Sequence, residues 1–380
     1  MARLFALLLL SLFMAAPLRA ETLQLQGKER WIAIASAKDL DEAIGIAQLY
    51  SDPPGRVVSS KSGWYGVVIG PVKTADLVAY RKSYQGWPEL PKDAHLSNGA
   101  NYLETVWQPK AAVKPAELAF GKPVEATAEG LPFRAELKGN ADSSSVEVSA
   151  TSAGHTLFTL STKADQYADT GSTLAAARLD PSVSLPQAIL SRFTGGAHCC
   201  VDTTFFTEAA SGWQMVSGVT LDGGGYGLED FDGDGTYELT SVDNAFLYAF
   251  DSYAASFAPM QIWQLRGGKI ANVTKDEKFR SALKRDLAGM EFQVKLNPEL
   301  IQSRGYLAAW VATKIELGQG DEAWKVMLAN YEKTSDFETQ SCTTGGSVDD
   351  CPQDKLKTVP FPEALAAFLK QNGYTPVPGN

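Results

Sequence analysis

The chain has 380 residues, with 34 Lys and Arg against 44 Asp and Glu, for a formal net charge of −10. That acidity excludes nucleic acid as the expected partner, because such binding needs a basic footprint. The length calls for two or three domains, and four cysteines, an even number, point to disulfides in an oxidising compartment.

Residues 1–20 have the layout of a signal peptide. Arg3 supplies the charge, Leu4 to Met14 the apolar core, and Leu18 and Ala20 a cleavage position before Glu21. The run is too short to span a bilayer, and no later stretch reaches about 18 apolar residues. The first Cys is Cys199, so no cysteine follows the apolar core for lipid attachment. The expected product is periplasmic or secreted, with no membrane span.

Residues 28–84 read as β-α-β-β-α. Trp31 to Ala35 is a short apolar run of strand length. Asp39 and Glu42 are spaced as a capping box before a helix with Leu40, Ala43, Ile44 and Ala47 on one face. Arg56 to Val58 predicts a second strand, and Trp64 to Ile69 a third that ends at Gly70-Pro71. Thr74 is the expected cap of a second helix carrying Leu77, Val78 and Tyr84.

The run Trp31 to Ala35, the helix Asp41-Glu42-Ala43 to Leu49 and above all Val67-Val68-Ile69-Gly70-Pro71 resemble the SPOR domain, the sporulation-related repeat. The resemblance implies a small ferredoxin-like sheet that recognises peptidoglycan glycan strands stripped of their peptides. If the sheet binds glycan, Trp31, Trp64 and Tyr65 are the candidate rings, since flat aromatics cover the apolar faces of sugars. Filling of the small core is the other role open to those rings. The chain lacks the family's usual Gln in the first strand and carries Tyr65-Gly66 where Arg is common in the third.

Tyr102 to Trp107 reads as an added strand that closes this module at residue 108. Residues 109–129 are rich in Ala, Pro and Lys without periodicity, and read as a linker. Residues 130–275 are strand-rich, with runs at 146–148, 156–160, 203–206, 213–219 and 261–265 punctuated by Gly, Asp and Ser. Residues 276–380 turn helical. Leu307 to Leu317 and Ala323 to Tyr331 form an αα-hairpin around Gly318 to Gly320, expected to pack on the β domain. One hairpin without a second copy cannot bury its own face. The fold class is therefore α+β multidomain: a small ferredoxin-like βαββα module, then a β-rich domain with a C-terminal helical segment.

The sharpest local motif is Asp230-Phe231-Asp232-Gly233-Asp234-Gly235-Thr236-Tyr237-Glu238. Its carboxylates at positions 1, 3, 5 and 9, with Gly at 6, resemble FG-GAP, VCBS and EF-hand-like calcium loops. The expected ligands of Ca2+ are Asp230, Asp232, Asp234, the Thr236 carbonyl and Glu238, which replaces the position-12 Glu of a true EF-hand; Ser241 stands there. Asp222 and Asp243 are near enough in sequence to complete the shell. All ligands fall in one stretch, so the ion is expected to tie a loop rather than to catalyse. An acidic turn without metal is the alternative.

Gly195-Gly196-Ala197-His198-Cys199-Cys200 offers three readings: a structural disulfide, a soft metal site, or a Cys–His nucleophile. Adjacent strand residues point to opposite faces, which separates His198 from Cys199. The preferred pairing is Cys199–Cys200 and Cys342–Cys351, and crossed pairing stays open. No nucleophile elbow, zinc-protease helix or phosphate loop appears.

The sequence thus predicts a cell-envelope binding protein, not an enzyme. Its partners would be peptidoglycan glycan strands, calcium, and a protein docked on the C-terminal helices. An envelope hydrolase or thiol-dependent enzyme targeted to the wall, and a protein-interaction scaffold, are the rival readings.

Overall fold

Strand alternation puts Ile32 and Ile34 on one face of the first strand and Trp31 on the other, and this strand organises the first module. The computed structural model describes residues 23, 25 and 27–377, apart from 141, 142, 165, 166, 168, 336, 346, 347 and 349. The leader expected over residues 1–20 and its cleavage position lie outside the described residues.

The module runs β1 (Glu29–Ala37), α1 (Leu40–Gln48), β2 (Gly55–Ser60), β3 (Tyr65–Lys73), α2 (Leu77–Ser83), β4 (His95–Ser97) and β5 (Tyr102–Trp107). The sheet order β4-β1-β3-β2-β5 is the ferredoxin-like arrangement with β5 added at the edge. Asp39 caps α1 by accepting from the Glu42 amide at 3.1 Å. Two local expectations need correction. β3 does not stop at Gly70-Pro71 but continues to Lys73, with a register shift in its pairing with β1 there and Gly70 at φ 106°. Asp76, not Thr74, caps α2, because its carboxylate accepts from the Val78 and Ala79 amides.

The β-rich part has three sheets. The first runs β10 (His155–Ala164), β9 (Ser143–Ser152), β8 (Leu131–Asn140) and β7 (Val124–Ala128). The second runs β14 (Gly212–Ser217), β13 (Cys199–Ala209), β12 (Gln187–Phe193), β11 (Thr173–Ala177) and β6 (Ala116–Glu117), with β15 (Leu221–Asp222) also on β13. The third runs β16 (Gly227–Glu229), β17 (Glu238–Val242), β18 (Met260–Arg266) and β19 (Lys269–Asn272). The middle sheet is covered on both faces. Phe206 and Leu190 join Phe133, Val148 and Phe158 of the first sheet, while Phe205 and Ile189 join Leu239 and Leu265 of the third. The expected linker 109–129 is therefore shorter, because β6 and β7 already belong to these sheets.

The C-terminal part holds α3 (Arg280–Leu296), α4 (Arg304–Glu316), α5 (Gly320–Asn330), β20 (Gln340–Cys342), β21 (Leu356–Thr358) and α6 (Phe361–Gln371). α4 and α5 are the expected hairpin. α3, α6 and the segment around Phe246 and Phe250 supply the cover that a lone hairpin lacks. α3 also reaches the first module. Its Phe292 and Leu296 enter the core of the first module, and Arg285 pairs with Asp41 of α1 at 2.8 Å. The approach is close enough that a Cβ on Gly45 would strike the Arg285 carbonyl. Among the described residues no helix is long and apolar enough to cross a membrane.

Candidate functional site

The acidic loop lies between β16 and β17. Asp230, Asp232 and Asp234 converge, with one carboxylate oxygen from each within 4.8 Å of the others. The fold is local. Asp230 accepts from the Gly233 amide at 2.7 Å, Asp232 from Asp234 at 3.3 Å, and Asp234 from Thr236 at 2.7 Å. Gly233 and Gly235 take φ of 77° and 87°, which a side chain would resist. Such a set of hard oxygens suits a divalent cation.

Glu238 stands apart from this group. It opens β17, fully buried, and its carboxylate accepts from Gln264 Nε2 at 2.7 Å and from the Phe231 amide at 3.2 Å. Burial raises its pKa against those hydrogen bonds. Asp222 and Asp243, near enough in sequence to join the shell, have other partners. Asp222 is bonded to His198, and Asp243 accepts from Tyr374 Oη at 2.8 Å and the Ala245 amide at 3.1 Å.

Two ammonium groups missed by local motif reading meet the loop from distant segments. Lys110 Nζ lies 2.8 Å from Asp230 Oδ2, and Lys278 Nζ lies 2.9 Å from Asp232 Oδ2. The Lys278 bond lowers the Asp232 pKa. Gln48 of α1 donates to Glu229, the residue before the loop, at 3.1 Å. The loop thus faces a cleft of about 1040 Å3 whose lining includes Tyr50, Trp107, Lys110 and Arg285.

The three expected glycan-binding rings do not share a surface. Trp31 is 3% exposed, packed under Leu23, with its Nε1 donating to the Leu23 carbonyl. Tyr65 is half-buried against the helix-covered core, as alternation along β3 requires. Trp64 alone is well exposed, at 40%, with Lys38 Nζ 5.0 Å from its ring centre. It borders a groove of about 540 Å3 together with Tyr102, His95 and Asn101.

The four cysteines pair locally, Cys199 with Cys200 and Cys342 with Cys351. His198 Nδ1 sits 2.9 Å from Asp222 Oδ1 and its Nε2 3.2 Å from Tyr248 Oη. Tyr253 stacks on the imidazole at 3.8 Å and donates to Asp222 at 3.1 Å. Tyr248 is exposed and holds φ at 62°, a strained value for a bulky residue. Sequence spacing could not assemble this cluster, because His198 precedes β13, Asp222 ends β15, and Tyr248 and Tyr253 lie in the segment between β17 and β18.

Residues 279–373 match the family described as the sll0997 C-terminal domain. The chain is 37% identical over 98% of its length to "Uncharacterized protein y4bJ" of Sinorhizobium fredii (strain NBRC 101917 / NGR234), covering 60% of that protein. It is 35% identical over 52% of its length to "Probable thylakoid lumen protein sll0997" of Synechocystis sp. (strain ATCC 27184 / PCC 6803 / Kazusa), covering 58% of it. The chain therefore spans about three fifths of the length of these relatives. No solved structure matches.

Proposed function

We propose that this chain is an exported binding protein that takes calcium on the loop 230–238. The observation that carries this reading is the convergence of Asp230, Asp232 and Asp234. Export is supported by the leader-like residues 1–20, by two disulfides, and by similarity to a protein named for the thylakoid lumen. Those three carboxylates, the Thr236 carbonyl and, after a shift from Gln264, Glu238 are the residues that would hold the ion. Its charge would offset their mutual repulsion. Lys110 and Lys278 offset part of it already, so calcium competes with two ammonium groups. A binding role rather than a thiol mechanism is supported at His198 as well, because the neighbouring sulfurs are joined to each other.

The test is thermal unfolding with chelator and with calcium. A ligand at about 100 times its dissociation constant stabilises by roughly 2.7 kcal/mol, so chelation is expected to lower Tm by several degrees. Calcium restores it better than magnesium, which keeps its waters. Asp232→Ala and Asp234→Ala are expected to melt near the chelated value. Superimposable wild-type curves in chelator and in millimolar calcium would leave the loop as an acidic turn.

Glycan recognition is the second half of this proposal, now centred on Trp64 and the groove it shares with Tyr102. Full-length protein is expected to sediment with purified sacculi, and Trp64→Ala to lose most of that binding. Equal sedimentation of the two proteins would refute the aromatic contact.

A further inference from the structure

The cluster around His198 holds a base, a hydroxyl and a carboxylate in one line. Asp222, as a carboxylate, only accepts, so its 2.9 Å contact places an imidazole proton on Nδ1. Nε2 is then the lone-pair nitrogen, and the Tyr248 hydroxyl 3.2 Å away donates to it. Tyr253 holds both members in this orientation, its ring stacked on the imidazole at 3.8 Å and its hydroxyl donating to Asp222 at 3.1 Å. Exposure rises along the line, from 14% of the Asp222 side chain to 31% of the His198 side chain and 52% for Tyr248.

A carboxylate that orients an imidazole, and an imidazole that accepts from a hydroxyl, together turn a weak oxygen nucleophile into a reactive one. The sulfurs beside His198 are joined to each other, so the hydroxyl is the group left for this base to serve. The Tyr248 backbone adds a second observation. Its φ of 62° is strained for a bulky side chain, and donation from its amide to Ser256 Oγ at 3.0 Å holds it there. Strain of this kind collects at functional sites. Asp222 and Tyr253 also border a cavity of about 390 Å3 whose wall includes Leu221, Leu247 and Met260. Among the described residues no Lys or Arg lines it, and Asp286 does. A phosphoryl or carboxylate group would meet no cation there, whereas an uncharged acyl chain would meet apolar side chains.

We propose that Asp222, His198 and Tyr248 form a nucleophilic triad in which Tyr248 takes an acyl group from an uncharged, activated ester. Tyr248 Oη attacks the carbonyl carbon, and its proton passes to His198 Nε2. The bond from that carbon to the leaving oxygen then breaks. The leaving oxygen keeps the electron pair and takes the proton from Nε2, and an acyl ester remains on Tyr248. Asp222 touches neither reactant and is a positioning residue. The step uses neither calcium nor the Trp64 groove, so it goes beyond the binding role and stands or falls separately.

The experiment incubates the full chain with p-nitrophenyl acetate in the presence of chelator and follows acetylation residue by residue by peptide mass spectrometry. Tyr167 is the control within the same sample, 42% exposed and packed on Phe193 rather than on an imidazole. General-base assistance contributes about 100-fold or more, so Tyr248 is expected to acetylate on the order of 100-fold faster than Tyr167. His198→Gln is expected to bring Tyr248 down to the Tyr167 rate, with thermal unfolding as the check that the chain is folded. Asp222→Asn keeps an acceptor for Tyr253. It is expected to slow acetylation and, by imidazole nitrogen NMR, to move the His198 proton off Nδ1. Three results would each overturn the proposal and leave a hydrogen-bonded trio with a structural role. They are Tyr248 reacting no faster than Tyr167, acetyl accumulating on His198 and not on Tyr248, and undiminished reaction in His198→Gln or Asp222→Asn.

Discussion

Lys110 and Lys278 do at the acidic loop what a bound cation would do, but from outside and in part. Lys110 is 60% exposed in its side chain and Lys278 38%, so each bridge contributes only the 0.2–1 kcal/mol typical of surface pairs. Removing one charge removes one competitor. Lys110→Met and Lys278→Met are each expected to tighten calcium binding on the order of threefold, about 0.7 kcal/mol, with titration calorimetry as the measure. Weaker binding in both variants would mean that the lysines shape the loop rather than compete for it. The carboxylates were legible in the sequence because a turn brings near neighbours together. The lysines were not, since Lys110 and Asp230 are 120 positions apart. Trp31 failed as a surface ring for a related reason. A strand's period places it on the face opposite Ile32, but nothing in the period says that Leu23 returns to cover that face.

At the scale of elements, the α1–α3 contact is set by two glycines with unequal freedom. A Cβ on Gly45 would meet the Arg285 backbone carbonyl, which cannot step aside without moving α3. A Cβ on Gly289 would rest 3.4 Å from Leu49 Cδ2, an ordinary contact. Gly45→Ala is therefore expected to lose about 1–3 kcal/mol despite its better helix propensity. Gly289→Ala is expected to be neutral or to gain up to about 1 kcal/mol. Denaturant unfolding of the two variants measures the difference, and equal stabilities would show that the helices are free to part. The strands of the first module, the αα-hairpin and the order of the β runs were readable from alternation and turn residues. The partner of α1 was not, because an amphipathic stripe says that something covers it without saying what. Gly45 within the stripe was the available sign of a close approach.

For the whole molecule, buried carboxylates set the response to pH. Asp286 is raised from 3.8 to about 6 and Glu316 from 4.5 to about 7, both chiefly by burial. Between the unfolded and native values the native state holds more protons, so stability rises as pH falls. Tm is expected to climb from about pH 8 to about pH 5. Asp286→Asn and Glu316→Gln should each flatten the climb and raise Tm at neutral pH. Below that range Asp232 and Glu129 act with the opposite sign. Their pKa values are depressed by Lys278 and Arg178, so protonating them removes stabilising pairs. A Tm that falls steadily from neutral pH to pH 5 would contradict the burial of the first two groups.

The pairing of Asp41 with Arg285 joins residues 244 positions apart, and this fixes the order in which the protein becomes complete. Synthesis delivers α1 first and α3 far later, on the order of tens of seconds at ribosomal speeds of about 5–20 residues per second. Through that interval the apolar side of α1 that receives Phe292 stays wet. The earliest module to emerge is therefore among the last to close, and a chain that stops short of α3 carries an open core that holdases and proteases can read as unfinished.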